Sequence, residues 1–172
     1  MQKKTSASDN GAYPEFCYFA SKRDDIFNNF KNNPIYNQIL EHVSPELGKD
    51  YLEVILKNPN FNFDLDKWNV FFQNDKVGNP RVATYNLTNV SITCSPSTLR
   101  YIKVLSDIIS LFDVSKINSV YEVGIGYAGQ CRILMSMLQI AEYNLIDLPE
   151  VLSLAERFLN EVKLENRGGT VF

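Results

Sequence analysis

The stretch Ser119 to Asp147, SVYEVGIGYAGQCRILMSMLQIAEYNLID, decides how the rest of the chain is read. Val120 to Val123 is a short apolar run carrying one acid, Glu122. It breaks into Gly124, Gly126 and Gly129 before an apolar-periodic segment resumes. That order predicts strand, tight turn and helix. Glycine suits the turn for two reasons: a ligand reaches the backbone only where no Cβ intrudes, and the turn needs φ values that other residues resist. The segment Gln130 to Ile140 places Ile133, Leu134, Met137 and Leu138 on one helical face. The free N–H groups of its first turn then point at whatever lies over the glycines. A second apolar run, Tyr143 to Ile146, ends in Asp147, where a carboxylate is placed to accept hydrogen bonds from ribose hydroxyls.

Two nucleotide readings compete. Gly124, Gly126 and Gly129 satisfy GxGxxG, and Asp147 follows by about 20 residues, as the dinucleotide fingerprint requires. On that reading the chain is an NAD-dependent sugar-nucleotide oxidoreductase or epimerase. Glu122 points elsewhere: an acid ending the first strand, followed by GxG, is the pattern of class I S-adenosylmethionine-dependent methyltransferases, where its carboxylate meets the cationic amino-acid end of the cofactor.

The run EVGIGYAGQCRIL, with YNLIDLPEVLSLAERFL after it and VGNP and SPSTLRYIKVLSDI before it, resembles a sugar O-methyltransferase family found with bacterial surface-polysaccharide genes. The resemblance spans Lys76 to Leu159, about half the chain, and departs from the family's glycine run at Ile125 and Ala128. It implies S-adenosylmethionine as cofactor and a sugar or glycan hydroxyl as acceptor. It implies Glu122, Gly124, Gly126, Tyr127, Gly129, Gln130 and Asp147 as cofactor-binding residues. Arg100, in the STLRY segment, would hold the cofactor carboxylate or an acidic sugar, or else pin helix to loop by a salt bridge. Gly78, Asn79 and Pro80 of the GNP segment line the site or form a plain interdomain turn. No residue stands out as a catalytic base.

The 172 residues suffice for one ordinary domain with a real core. A net charge of −3, with acids and bases interspersed, argues against a nucleic-acid binder. No apolar segment follows the lysines of the N-terminus, and no run approaches the roughly 18 apolar residues of a membrane span, so a cytoplasmic location is expected. Cys17, Cys94 and Cys131 are far apart and odd in number, which suggests neither a disulfide framework nor a zinc site. Asp64 and Asp66 are spaced like the start of a calcium loop but lack its glycine and closing glutamate, and read instead as a helix-capping pair. No metal site is expected.

In chain order, residues 1–12 read as a disordered tail. Residues 13–80 form a helical N-terminal region, with helices at 22–30, at 34–43 and from the cap Ser44-Pro45 onward. The single histidine, His42, sits near the end of the second of these and reads as structural. Residues 81–94 predict a hairpin and 97–112 a long helix. Pro149 opens another helix, Arg167-Gly168-Gly169 stops it, and Thr170 begins a third strand. The fold class is therefore α/β, with 81–172 the N-terminal part of a Rossmann-like class I methyltransferase core. Such a sheet needs on the order of 100 further residues, so the chain is expected to be a fragment. A non-catalytic remnant or interaction module, self-associating through its uncovered sheet edge, is the alternative to an enzyme.

Overall fold

The computed structural model describes residues 11–62, 64–87, 90–163 and 169–171. Residues 1–10 of the tail, Thr88 and Asn89 between the hairpin strands, and the helix stop at Arg167-Gly168 lie outside the described residues.

The N-terminal region is helical, but its boundaries differ from the expected ones. Helix α1 spans Ala12–Lys22 and a short α2 spans Asp24–Phe27, in place of one helix at 22–30. Tyr13, Phe16, Cys17 and Ala20 are the buried stripe of α1, at helical spacing. Arg23 between the two helices is extended, with φ −119° and ψ 126°. Arg157 Nη1 donates to the Ala20 carbonyl (3.2 Å) and its Nη2 pairs with Asp24. The long-range packing of α1 thus fixes a boundary that local polarity misplaces.

Helix α3 covers only Pro34–Asn37, not 34–43. Its buried side chain is Tyr36, while Ile35 stays 39% exposed, and Ile39 and Leu40 pack on the core from beyond the helix. The chain then leaves the helical path, and Glu41 adopts φ 60°. His42 is exposed and lies beyond this helix, which removes the dipole argument for its position.

Helix α4 spans Pro45–Lys57, capped by Ser44 Oγ on the Leu47 amide (3.2 Å), and α5 spans Leu65–Phe71. Asp64 caps α5 by accepting from the Asp66 amide (3.0 Å), as the capping pair predicts. Strands β1 (Ala83–Leu87) and β2 (Val90–Cys94) form the antiparallel hairpin, with Tyr85 opposite Ile92. Helix α6 spans Pro96–Leu111, and its cap is Ser95, whose Oγ accepts from the Thr98 amide (3.1 Å).

Three parallel strands follow, β3 (Ser119–Val123), β4 (Glu142–Ile146) and β5 (Gly169–Val171), in spatial order β3-β4-β5. Helix α7 (Gly129–Met137) joins the first two and α8 (Pro149–Glu161) the last two. Helix α7 ends before the expected Ile140: Met137 is 40% exposed and Leu138 is extended. From Cys131 to Met135 every residue is buried, so this helix is enclosed rather than striped. The chain is thus α/β, with one continuous core that includes Trp68, Tyr36 and Tyr127.

The two faces of the parallel sheet differ. Tyr143 and Leu145 are buried, whereas Tyr121, Val123 and Ile146 on the opposite face are exposed. Among the described residues nothing pairs with the outer edge of β3. No described helix is long and apolar enough to cross a membrane. All three cysteines are free and buried, Cys131 in the first turn of α7.

Candidate functional site

The glycine turn sits where β3 and β4 end side by side. Gly124, Gly126 and Ala128 have φ of 77°, 56° and 62°, so the turn alternates into the left-handed region. The Gly124 amide donates to the Ile146 carbonyl (3.0 Å), extending the ladder one step, and the Ala128 amide closes the turn on the Ile125 carbonyl (3.0 Å). Asp147 spans the gap between the strand ends: its Oδ2 accepts from the Gly126 amide (3.4 Å) and its Oδ1 from the Leu148 amide (2.8 Å).

The three glycines serve different ends. At Gly124 an added Cβ would meet nothing within 4 Å, so its backbone is open to a ligand. At Gly126 it would run into Leu40 Cδ1, the end of a flexible side chain that covers the turn. At Gly129 it would meet Tyr127 Cε2 (2.6 Å) and Tyr101 Cε2 (2.7 Å), so this glycine is required by packing.

Glu122 shares a sheet face with its cross-strand partner Leu145, on the buried side. Tyr143 donates its hydroxyl to Glu122 Oε2 (2.6 Å). Burial pushes the Glu122 pKa up to about 7, against the lowering by the Tyr143 hydrogen bond and with a further rise from Asp147. Tyr127 turns inward: its ring is fully buried against Phe30, Tyr101 and Phe158. Gln130 Nε2 donates to the Tyr101 carbonyl (3.2 Å), tying α7 to α6. The Arg100 guanidinium lies over the Tyr101 ring, 5.3 Å from its centroid. Of the expected site residues, then, Gly124, Gly126 and Asp147 converge and Glu122 lies directly before them. Tyr127, Gly129 and Gln130 pack inward, and Arg100 reaches the turn only through Tyr101.

Beneath the turn lies a group of buried polar side chains for which the sequence carries no strong signal. Lys31 is 1% exposed, with Nζ 4.0 Å from the Tyr127 ring centroid and 4.8 Å from that of Phe158, and it donates to the Asn74 carbonyl. Burial lowers its pKa to about 8, while Glu41 and Asp75 pull it back up. The Asn74 side chain donates to the Gly129 carbonyl (3.0 Å) and accepts from Arg132 (3.2 Å). Asp75 accepts from the Ser95 amide (2.7 Å), the Ser95 hydroxyl (2.8 Å) and the Thr98 hydroxyl (2.7 Å). Of the segment NDKVGNP, Asn74 reaches the end of the turn at Gly129, whereas Asp75 serves the start of α6; both lie in a 3-10 helix, Phe72–Lys76, not in a loop. Gly78 of that segment has φ 82° and packs against Phe30, while Asn79 donates to Asn29 Oδ1 (3.0 Å).

Toward an S-adenosylmethionine-type ligand the turn offers two features and one obstacle. Gly124 leaves the backbone bare, and Asp147 offers a partly buried carboxylate whose present partners are two backbone amides at the ends of the strands. The fit requires the Leu40 side chain to swing aside from Gly126. No protein-family model, curated protein or solved structure matches the chain.

Proposed function

We propose that this chain carries the cofactor-binding half of a Rossmann-like S-adenosylmethionine-dependent sugar O-methyltransferase, cytoplasmic and acting in surface-polysaccharide synthesis. One observation carries the reading: Asp147, at the tip of β4, hydrogen-bonds the Gly126 amide beside an open, left-handed Gly124. Two parallel strands joined by a helix end there, which is where open α/β sheets bind their ligands. The bare backbone at Gly124 admits the cofactor, and Asp147 accepts from ribose hydroxyls. Glu122, fixed by Tyr143, sets a carboxyl group beneath the turn. Leu40, whose side chain lies against Gly126, swings aside as the cofactor enters. The bound cofactor supplies an electrophilic methyl group on a sulfonium. The unpaired edge of β3, with Tyr121 and Val123 exposed beside it, is where self-association would occur.

The test is thermal unfolding with saturating S-adenosylhomocysteine, and with NAD as comparator. Ligand at about 100 times its Kd stabilises the native state by about 2.7 kcal/mol. The expected result is a cooperative transition raised by the homocysteine ligand and unmoved by NAD. A transition raised by NAD alone would replace this reading with the dinucleotide one, and a transition moved by neither would leave a non-catalytic module.

A further inference from the structure

We infer that the cavity where the turn into α4 meets the starts of β1 and α6 is a ligand site in its own right, and that it takes a small organic anion, an apolar body bearing a carboxylate or phosphate group, on the Arg81 guanidinium. The inference goes beyond the methyltransferase reading and does not depend on it.

The cavity has a volume of about 310 Å³, at the small end of ligand pockets. Three segments wall it: the turn from Glu41 to Pro45, the approach to β1 from Arg81 to Ala83, and Pro96 with Ser97 at the start of α6. Its lining has two parts. Val43, Pro45, Val82, Ala83 and Pro96 form an apolar wall, while Arg81 and His42 bring nitrogen groups to it. An apolar wall with a few placed polar groups is the common make-up of small-molecule sites.

Arg81 is the anchor. Its Nε–H donates to Asn32 Oδ1 (3.2 Å). That bond uses one of the five guanidinium N–H groups and leaves the terminal nitrogens, whose planar fork matches a carboxylate or phosphate. Among the described residues no acid pairs with Arg81, and its terminal N–H groups have no partner. The acids close by in the chain are engaged elsewhere. The Glu41 carboxyl bonds to Ser97 and Tyr127 in the core and is drawn to Lys31, and the Glu46 carboxyl bonds to its own amide and to Ser44 at the start of α4. Neither one occupies Arg81.

The backbone is bent where it delivers both nitrogen groups. Glu41, with φ 60°, directly precedes His42, and Asn79, with φ 51°, stands two residues before Arg81. Of the four described non-glycine residues with positive φ, two therefore lead into this one cavity. A left-handed conformation is unfavourable for a residue with a Cβ, least so for asparagine, and such residues gather at functional sites. Glycine at position 41 would make the same turn without strain.

The test titrates benzoate, phenyl phosphate and, as a neutral comparator with the same ring, benzyl alcohol into the 172-residue chain, followed by amide NMR spectra that also report whether each variant is folded. At least one anion should shift the amides of His42, Val82 and Ser97 saturably, with a Kd on the order of 1 mM for so small a ligand. The tighter of the two identifies the head group. Benzyl alcohol should bind about tenfold more weakly or not at all, since it cannot form the charged pair. Arg81→Ala, at an exposed position, should weaken the tighter anion about tenfold. Arg23→Ala, which removes another exposed cation at the α1–α2 junction, should leave the affinity unchanged. Any of four results overturns the proposal: no saturable shift of these amides with either anion, benzyl alcohol bound as tightly as the anions, Arg81→Ala within twofold of wild type, or equal weakening in Arg23→Ala. Homocysteine binding decides the methyltransferase reading separately.

Discussion

The glycine turn and the aromatic layer beneath it meet at Tyr127, and they are specified by opposite kinds of information. The turn is local. Three left-handed positions within five residues, one carboxylate across the strand ends and an open face define it, and an added Cβ at Gly124 would touch nothing. The layer is non-local. Phe30, Tyr127 and Phe158 come from segments spread across the chain and close around the buried Lys31 ammonium, and Tyr101 packs on Tyr127. The turn thus keeps the face at Gly124 free of packing, with the aromatic layer underneath.

Tyr127 belongs to both regions, and its removal is the largest expected effect. Tyr127→Ala deletes ring contacts with Phe30, Tyr101 and Phe158, the last at a centroid distance of 4.7 Å. It also strips Lys31 of its closest aromatic face. Truncating a buried aromatic costs about 3–5 kcal/mol, and urea unfolding of the variant should show a loss of that size. A loss below about 1 kcal/mol would mean that the turn stands without its underlay, and the comparison would fail.

The same contrast explains what the sequence could and could not disclose. The caps at Ser44, Asp64 and Ser95 were readable, or nearly so, because a cap is settled within four residues. The hairpin and the strand–turn–helix unit were readable because their signals are periodicity and glycine. Lys31 was not, since NNFKNNP looks like a solvated turn and the Asn74 carbonyl, Tyr127 and Phe158 that enclose its ammonium lie more than 40 positions away. The Glu41 backbone was not legible either, because its left-handed φ comes with no glycine or asparagine to announce it. The N-terminal helix boundaries failed likewise, because a tertiary partner, Arg157 on α8, helps decide where α1 ends.

Asp75 sharpens the comparison at intermediate size, because it is non-local yet acts on a local element. Its carboxylate supports the buried start of α6, where Ser95 and Thr98 are 1% and 0% exposed. Asp75→Ala leaves the Ser95 amide without that acceptor, which costs about 1–3 kcal/mol for a buried donor. Asp75→Asn keeps one oxygen acceptor, so its loss should be about half as large. Equal losses in the two variants would place the effect in charge rather than in hydrogen bonding, since asparagine preserves shape but not charge.

The smallest effect on stability belongs to the open glycine, and it tests the other side of the contrast. Gly124→Ala must hold alanine at a φ of 77°, which costs about 1–2 kcal/mol for an L-residue, and the space around it adds no steric term. Stability should therefore fall by about 1 kcal/mol. On the proposed function the new methyl group stands in the path of the cofactor, and affinity for S-adenosylhomocysteine should fall by about tenfold or more. Gly126→Ala shares the strained φ but must also displace Leu40, which couples the turn to the helical cap. If Gly124→Ala instead destabilises the fold by 3 kcal/mol or more (~3 or above, the scale of a core deletion) and leaves homocysteine affinity unchanged, the open face is a packing surface. The division between a free turn and a cohesive underlay would then be wrong at its centre.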